Sequence, residues 1–126
     1  MAISVVKRPL SGQADHGLWI TLTASTDTGT VLHTCAPSST AAHDTVYVYA
    51  NNSTTSNFDI EMSVGSTAAG NRLVFNMPAR TFNYPLIEGL DMWGIAAASG
   101  TAFKAGYGSA SAGPKLYGYY TRYTES

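Results

Sequence analysis

The residues that could perform chemistry are few, and they do not form a catalytic motif. Two neighbouring pairs, Asp15-His16 and His43-Asp44, each combine a carboxylate with an imidazole. A nucleophile, a base and an orienting acid must converge in space, and adjacent residues rarely achieve that geometry. The chain also lacks the Gly-x-Ser-x-Gly turn that presents a nucleophilic serine. We therefore expect no enzymatic activity.

Metal and cofactor sites are not indicated either. His16, His33 and His43 show none of the short paired spacings, such as His-x-His, that are typical of zinc ligands, so we expect structural, hydrogen-bonded histidines. Asp59 and Glu61 resemble the paired carboxylates of glycoside hydrolases, but they alternate with apolar residues, which favours a solvated strand face. The glycine-rich segments lack the strand–loop–helix context of phosphate-binding loops. No cofactor is expected.

The composition describes one domain with little surface charge. Of the 126 residues, 44% are hydrophobic, which is sufficient for a core, and 12% are charged, with a net charge of −1. Nucleic-acid binding requires a basic stripe, which is missing. The single cysteine, Cys35, excludes an intrachain disulfide, and we expect it to be buried. Without a signal peptide or a long apolar segment, we expect a protein made in a cytoplasm that has no membrane partner.

Alternating apolar and polar residues predict an all-β fold. We predict a single antiparallel β-sandwich or jelly-roll-like domain of about eight strands over residues 17–126, preceded by an N-terminal arm, residues 1–16, with a short strand at 3–6. One strand, 81–89, is expected to be interrupted or to end near Pro85. The other predicted strands are 17–23, 30–35, 44–50, 57–62, 72–77 and 115–123, and a hairpin of 90–98 and 101–108.

The strand pattern places tyrosines on the face opposite to the apolar rows. In residues 44–50, Val46 and Val48 face inward, so Tyr47 and Tyr49 face outward. The last strand presents Tyr117 and Tyr119 outward in the same way, and Trp19 faces away from Ile20. In the predicted strands 57–62 and 72–77, the inward residues are Phe58, Ile60, Met62, Leu73, Phe75 and Met77.

Outward tyrosine and tryptophan, together with the low surface charge, favour a surface that is covered by other protein subunits. Cross-strand aromatic pairing on a solvated sheet is the alternative. Basic residues near the two chain ends could anchor the arm to an acidic neighbouring subunit, or could be plain solvated charges. The predicted interface comprises Lys7, Arg8, Trp19, Tyr47, Tyr49, Tyr117, Tyr119 and Arg122.

The order of several segments resembles small virion proteins of tailed bacteriophages. The resemblance covers about residues 28–123, and its motifs are structural. They are TVLHT at 30–34, the strand and turn at 44–51, the edge at 77–80, the Gly-Leu turn at 89–90, the alanine-rich strand at 96–99 and the closing strand at 118–122. The tyrosine-rich closing strand and the AGYGSASAGPK loop depart from the pattern.

This resemblance implies a β-sandwich structural protein without enzymatic activity, most similar to capsid decoration, or cement, proteins. Such proteins commonly sit as trimers on the outside of the phage head and clamp neighbouring major capsid proteins. The expected partners are therefore the major capsid protein and further copies of the chain, and the expected location is the virion surface. Two alternatives stay open: a lectin-like, carbohydrate-binding jelly roll, and a component of the tail or neck.

Overall fold

The computed structural model describes residues 3–13, 19–22, 30–35, 42–64, 72–93, 102–107 and 114–125. These ranges contain nine strands and no helix, and hence no apolar helix that could cross a bilayer. The strands are β1 (Ile3–Pro9), β2 (Ile20–Thr21), β3 (Thr30–Thr34), β4 (Ala42–Asn52), β5 (Phe58–Val64), β6 (Arg72–Met77), β7 (Thr81–Trp93), β8 (Ala102–Tyr107) and β9 (Lys115–Glu125).

The strands form two sheets. The first has the order β1-β9-β4-β7, with β2 also beside β9, and the second has the order β3-β8-β5-β6. Every pairing is antiparallel. The inner faces of the two sheets share one hydrophobic core. The prediction of an all-β, antiparallel sandwich is therefore confirmed, and a jelly-roll connectivity stays a prediction.

The core follows the alternation of the two best predicted strands. In β4, Val46, Val48 and Ala50 are fully buried. In β5, Ile60 and Met62 are also fully buried. Because successive strand residues point to opposite faces, the residues between them are left for the outer surfaces. Cys35 is buried as predicted.

Residues that were predicted as an arm extend the first sheet. The strand β1 is longer than the predicted 3–6 and pairs with β9 from Ile3 opposite Glu125 to Pro9 opposite Tyr119. The next residues cross from the first sheet to the second. Leu10 N donates to Gly118 O at 3.3 Å, and Gly12 N donates to Leu32 O at 2.8 Å. Contact of residues 1–16 with a neighbouring subunit stays a prediction.

This crossing depends on a glycine at position 12. A Cβ atom there would lie 2.2 Å from the carbonyl oxygen of Val31 and 2.6 Å from that of Leu32. Backbone atoms cannot yield in the way that a flexible side chain can, so only glycine allows the approach. Residues 10–13 thus tie β1 to β3, and they hold those two edge strands on the same lateral side of the sandwich.

The prediction that the strand could end near Pro85 was wrong, because β7 continues through it, whereas the predicted interruption is present as a shift in the register of β7 with β4. Proline lacks a backbone donor and is therefore confined to edge strands and bulges. Among the described strands β7 is an edge strand, and its register with β4 shifts between Val48 and Tyr49, where Pro85 pairs. Both conditions for a tolerated proline are met.

Two further predictions about the sheets were wrong. The strands β7 and β8 lie in different sheets, so they form no hairpin; its predicted turn at 99–100 lies outside the described residues. Leu73 was expected in the core, but its side chain is 45% exposed. It lies opposite Met62, and because β6 is an edge strand, a neighbouring strand flanks it on one side only.

Candidate functional site

Five aromatic side chains share the outer face of the first sheet, and we call this surface the aromatic face: Trp19, Tyr47, Tyr49, Tyr117 and Tyr119. The register of β4 with β9 places Tyr47 opposite Tyr119 and Tyr49 opposite Tyr117. The four tyrosines are half-buried, whereas Trp19 is 46% exposed. The surface therefore spans the width of three strands, and its rings are held in place by their neighbours.

The rings of the aromatic face stack on one another. Tyr47 and Tyr119 have ring centroids 4.7 Å apart and an interplanar angle of 16°. Tyr117 stacks on Trp19 at 5.3 Å and on Tyr49 at 5.7 Å. Stacking of this kind covers the ring faces that meet and leaves the ring edges at the surface.

A cation and an amide complete the arrangement. The Nζ atom of Lys7 lies 4.1 Å from the ring centroid of Tyr119, a cation–π geometry. The hydroxyl of Tyr117 donates to Oδ1 of Asn83. Burial raises the pKa of Tyr117 and of Tyr49, and the neighbouring Tyr119 and Glu88 raise the pKa of Tyr49 further. Both hydroxyls stay protonated at neutral pH, and each is engaged in a hydrogen bond within the chain, Tyr117 with Asn83 and Tyr49 with Tyr119.

The structure brings together six of the eight predicted interface residues. Lys7 joins the five rings of the aromatic face on the outer side of the first sheet. Arg8 and Arg122 alternate with residues of that face and therefore lie on the opposite side of the sheet. Arg8 is exposed, and Arg122 is bound to an acidic residue of its own chain.

Two further aromatic side chains, which were not predicted, lie on the same outer side of the sheet as the aromatic face. His43 stacks on Tyr123 with ring centroids 5.0 Å apart. Their positions follow the same alternation as Tyr47 and Tyr119, so the period of two could have revealed them. Beside them, Thr45 Oγ1 on β4 donates to Oδ1 of Asp91 at 2.7 Å, and Asp91 is an exposed residue of the edge strand β7. The aromatic face thus has a basic border on β1 and an acidic border on β7.

A buried ionic cluster lies on the inner side of the same two strands. The carboxylate of Asp44 accepts two hydrogen bonds from Arg122, at 2.7 Å from Nε and 2.9 Å from Nη2. Nε2 of His33 lies 2.7 Å from Oδ2 of Asp44, and both side chains are fully buried. The His33 ring also packs on Tyr120, with centroids 4.2 Å apart. The cluster joins β3 of the second sheet to β4 and β9 of the first.

Serine, histidine and aspartate meet in this cluster, but not as a catalytic triad. The backbone N–H of Ser11 donates to Nδ1 of His33 at 3.2 Å, so the ring proton lies on Nε2 and is donated to Asp44. The Ser11 hydroxyl oxygen accepts from the Thr34 N–H at 2.8 Å instead of approaching the ring. A triad needs the serine hydroxyl on the histidine. The predicted hydrogen-bonded role of His33 is confirmed, and His16 lies outside the described residues.

The cluster holds Asp44 in its charged form. Burial alone would raise the pKa of this carboxyl, but the hydrogen bonds from Arg122 and His33 and the positive charge of Arg122 outweigh burial and lower the pKa to about 2. The pKa of Arg122 is raised, chiefly by its hydrogen bonds to Asp44. Asp44 therefore stays ionised over the whole physiological range.

No group of three or more potential metal ligands lies together among the residues that the structure describes. Asp59 is exposed on β5 and accepts from Asn76 Nδ2 at 3.1 Å, as expected for a residue of a solvated face.

No family model, curated protein or solved structure matches the chain. Function is therefore inferred from the arrangement of the described residues.

Proposed function

We propose that this protein is a structural component of a tailed-bacteriophage virion. In this proposal it is a decoration protein that binds the outside of the head through the aromatic face and stabilises contacts between capsomers of the major capsid protein. The observation that carries the proposal is a half-buried surface of stacked tyrosines on a domain with few surface charges. The resemblance of residues 28–123 to small virion proteins supports the phage assignment.

The geometry of the aromatic face suits a rigid protein partner. Tyrosine and tryptophan bring a large contact area and lose little side-chain entropy on binding. Here the stacking and the hydrogen bond from the Tyr117 hydroxyl to Asn83 have already fixed the rings. A specific interface buries about 1,600 Å² in total, and repeated copies on one particle add avidity. In this proposal the protein catalyses nothing and binds no cofactor, nucleic acid or membrane.

The carbohydrate-binding alternative has one observation in its favour, the 46% exposure of Trp19. A sugar ring packs on an open aromatic face. On this surface Tyr117 stacks on both Trp19 and Tyr49, and Tyr119 contacts both Tyr47 and the ammonium of Lys7. The stacking therefore favours a protein partner over a glycan.

The experiment that tests the proposal measures binding to phage heads. Purified protein is added to heads that lack it, and the bound copies are counted by gel densitometry and located by cryo-electron microscopy. We expect saturable binding at the junctions between capsomers over the whole head. Density confined to the tail or neck would favour that alternative position. Absence of binding to any part of the particle would overturn the proposal.

A matched pair of variants tests the surface. Tyr47→Ser combined with Tyr119→Ser removes the centre of the aromatic face, and we expect head binding to weaken by about tenfold or more. Asp59→Asn combined with Val64→Ser alters exposed positions on β5 of the second sheet and should leave binding unchanged. Equal losses for both variants would contradict the role of the aromatic face. A thermal shift caused by polysaccharides would instead support the glycan alternative.

A further inference from the structure

Exposed apolar side chains of this protein are concentrated on its edge strands. Seven of the nine large, exposed apolar side chains among the described residues lie on β1, β3, β6 and β7. Edge strands with apolar side chains and unpaired backbone groups are ready to pair with another chain. The seven residues are Ile3, Val5, Val6, Val31, Leu73, Val74 and Phe82.

These edge strands form two opposite lateral sides of the sandwich. Residues 10–13 bond to both β9 and β3, which places β1 and β3 on one side. The turn between β6 and β7 joins those two strands on the other side, where Asn52 Nδ2 donates to Pro78 O at 3.0 Å and Arg80 N donates to Thr54 O at 3.0 Å. One lateral side therefore carries β1 and β3, and the other carries β6 and β7.

The two edges of the first sheet have opposite charge. The strand β1 carries Lys7 and Arg8 and no acidic residue, and both side chains are exposed. The strand β7 carries Glu88 and Asp91, also exposed, and no basic residue. Arg80 lies in the turn before β7, at the far end of the strand from Asp91. Charge therefore favours β1 against β7, and it opposes β1 against β1 or β7 against β7.

The register across the first sheet places Lys7 level with Asp91. Lys7 is opposite Thr121 in β9, Thr121 is opposite Thr45 in β4, and Thr45 is opposite Asp91 in β7. Both side chains belong to the outer face. A second copy displaced sideways, across the strand direction, would therefore bring its Lys7 beside Asp91 of the first.

The backbone of β7 is regular around Asp91. All three of its register shifts with β4 lie outside residues 90–93. These four residues are level with residues 5–8 of β1. The sheet order β1-β9-β4-β7 is antiparallel throughout, so β1 of a sideways copy would run antiparallel to β7. The bulges in the rest of β7 limit pairing to this short segment.

We infer that the protein associates head to tail with further copies of itself: β1 of one copy pairs with residues 90–93 of the next, and Lys7 lies opposite Asp91. Such a heterologous contact generates a ring if the rotation between copies closes, and an open filament if it does not. In the second sheet it would bring Val31 of one copy towards Leu73 and Val74 of the next. The inference goes beyond the proposed function and does not depend on a capsid partner.

Charge reversal tests this contact through the mass measured by sedimentation velocity. The full chain is studied at low ionic strength over about 5–500 µM, because mass action reveals weak association only at the upper end. We expect reversible oligomers of the native chain. Lys7→Glu alone and Asp91→Lys alone should each weaken association by about tenfold or more, because each places like charges opposite each other. The double variant carries complementary edges again and should regain association.

Two control variants carry the same changes in charge elsewhere. Lys115→Glu and Asp59→Lys lie on exposed positions away from the contact, and they should associate like the native chain. Thermal unfolding of every variant shows that it is folded before its mass is interpreted. The inference is overturned if the native chain stays monomeric throughout, if either single reversal has no effect, or if the folded double variant stays dissociated.

A cysteine pair gives a second, covalent readout. Directly opposed residues of neighbouring strands have Cβ atoms within reach of a disulfide. On oxidation, Lys7→Cys mixed with Asp91→Cys should give a mixed dimer, and the double variant should give higher oligomers. Cross-linking of Lys7→Cys only with itself would indicate a two-fold contact between β1 strands and would overturn the head-to-tail arrangement. If binding to heads is absent while these oligomers still form, only the capsid proposal is contradicted.

Discussion

The two sides of the β4–β9 strand pair form opposite kinds of surface from alternate residues of the same segments. On the inner side, Asp44 and Arg122 pair opposite each other and reach His33 of the second sheet. On the outer side, Tyr47 and Tyr119 pair in the same register. In the inner cluster Asp44 accepts hydrogen bonds from both Arg122 and His33. In the outer pair two rings stack and stay half-buried at the surface.

This difference separates stability from interaction. A charge in the interior is costly unless it is fully paired, so removal of one partner affects the whole fold. A half-buried cross-strand pair contributes only about 0.2–1 kcal/mol. Stability should therefore be sensitive to the inner side of these strands, and binding to the outer side.

The largest effect should follow from Asp44→Ala. The substitution leaves the buried His33 and the guanidinium of Arg122 without their acceptor, so we expect the free energy of unfolding to fall by about 3–5 kcal/mol. Chemical denaturation measures it. Asp91→Ala is the control, because that carboxylate is exposed and pairs with a hydroxyl, and it should cost less than about 1 kcal/mol. Similar losses for both variants would remove the distinction between the two sides.

Acid should weaken the inner side selectively. The pKa of Asp44 in the folded chain, about 2, lies below its ordinary value of 3.8, so its contribution to stability is complete above about pH 4 and is lost as the pH falls towards 2. The loss should reach at most about 2 kcal/mol, measured by denaturation between pH 5 and pH 2. In Asp44→Asn this component of the pH dependence should be missing. An unchanged pH profile in that variant would contradict the lowered pKa.

The outer side should show a smaller, pairwise effect. In a double-mutant cycle of Tyr47→Ala and Tyr119→Ala, we expect a coupling energy of about 0.5–1 kcal/mol in the free energy of unfolding, because the two rings stack. The matched cycle uses Tyr47 and Tyr123, which do not pair and should not couple. A coupling above about 2 kcal/mol would mean that the aromatic face is part of the stabilising core.

The smallest effect should come from Lys7→Met. The substitution keeps the aliphatic contact with Tyr119 but removes the cation, so we expect a loss of about 0.5 kcal/mol in the free energy of unfolding. Lys115→Met, on the same face, is the control. A gain in stability would show that the Lys7 ammonium is held unfavourably in the isolated chain and is placed there for a partner.

Local alternation was enough to predict which residues of β4 and β5 are buried. Val46, Val48 and Ala50 alternate without interruption, and a period of two fixes the face of each side chain. The same rule put Leu73 on the right face but could not show that β6 lies at an edge. Strand order depends on contacts between residues far apart in the sequence, so the assignment of β7 and β8 to one hairpin failed.

The ionic cluster could not be predicted for the same reason. His33 and Asp44 come together across the two sheets, and Arg122 approaches from the last strand. The sequence showed His43-Asp44 as the adjacent pair, whereas alternation sends those two side chains to opposite faces of β4. The aromatic face was largely predictable because the period of two alone defines it, and Tyr47, Tyr49, Tyr117 and Tyr119 all follow that period.

Pairing of β1 with β9 has a consequence for biosynthesis. Ile3 lies opposite Glu125, so β1 cannot pair until β9 has been synthesised. The exposed apolar residues of β1 stay without their neighbouring strand until then. Pairing over such long sequence separations is slow. The first sheet should therefore complete only after β9 has left the ribosome, and chaperones that shield short apolar segments would raise the yield of the native protein.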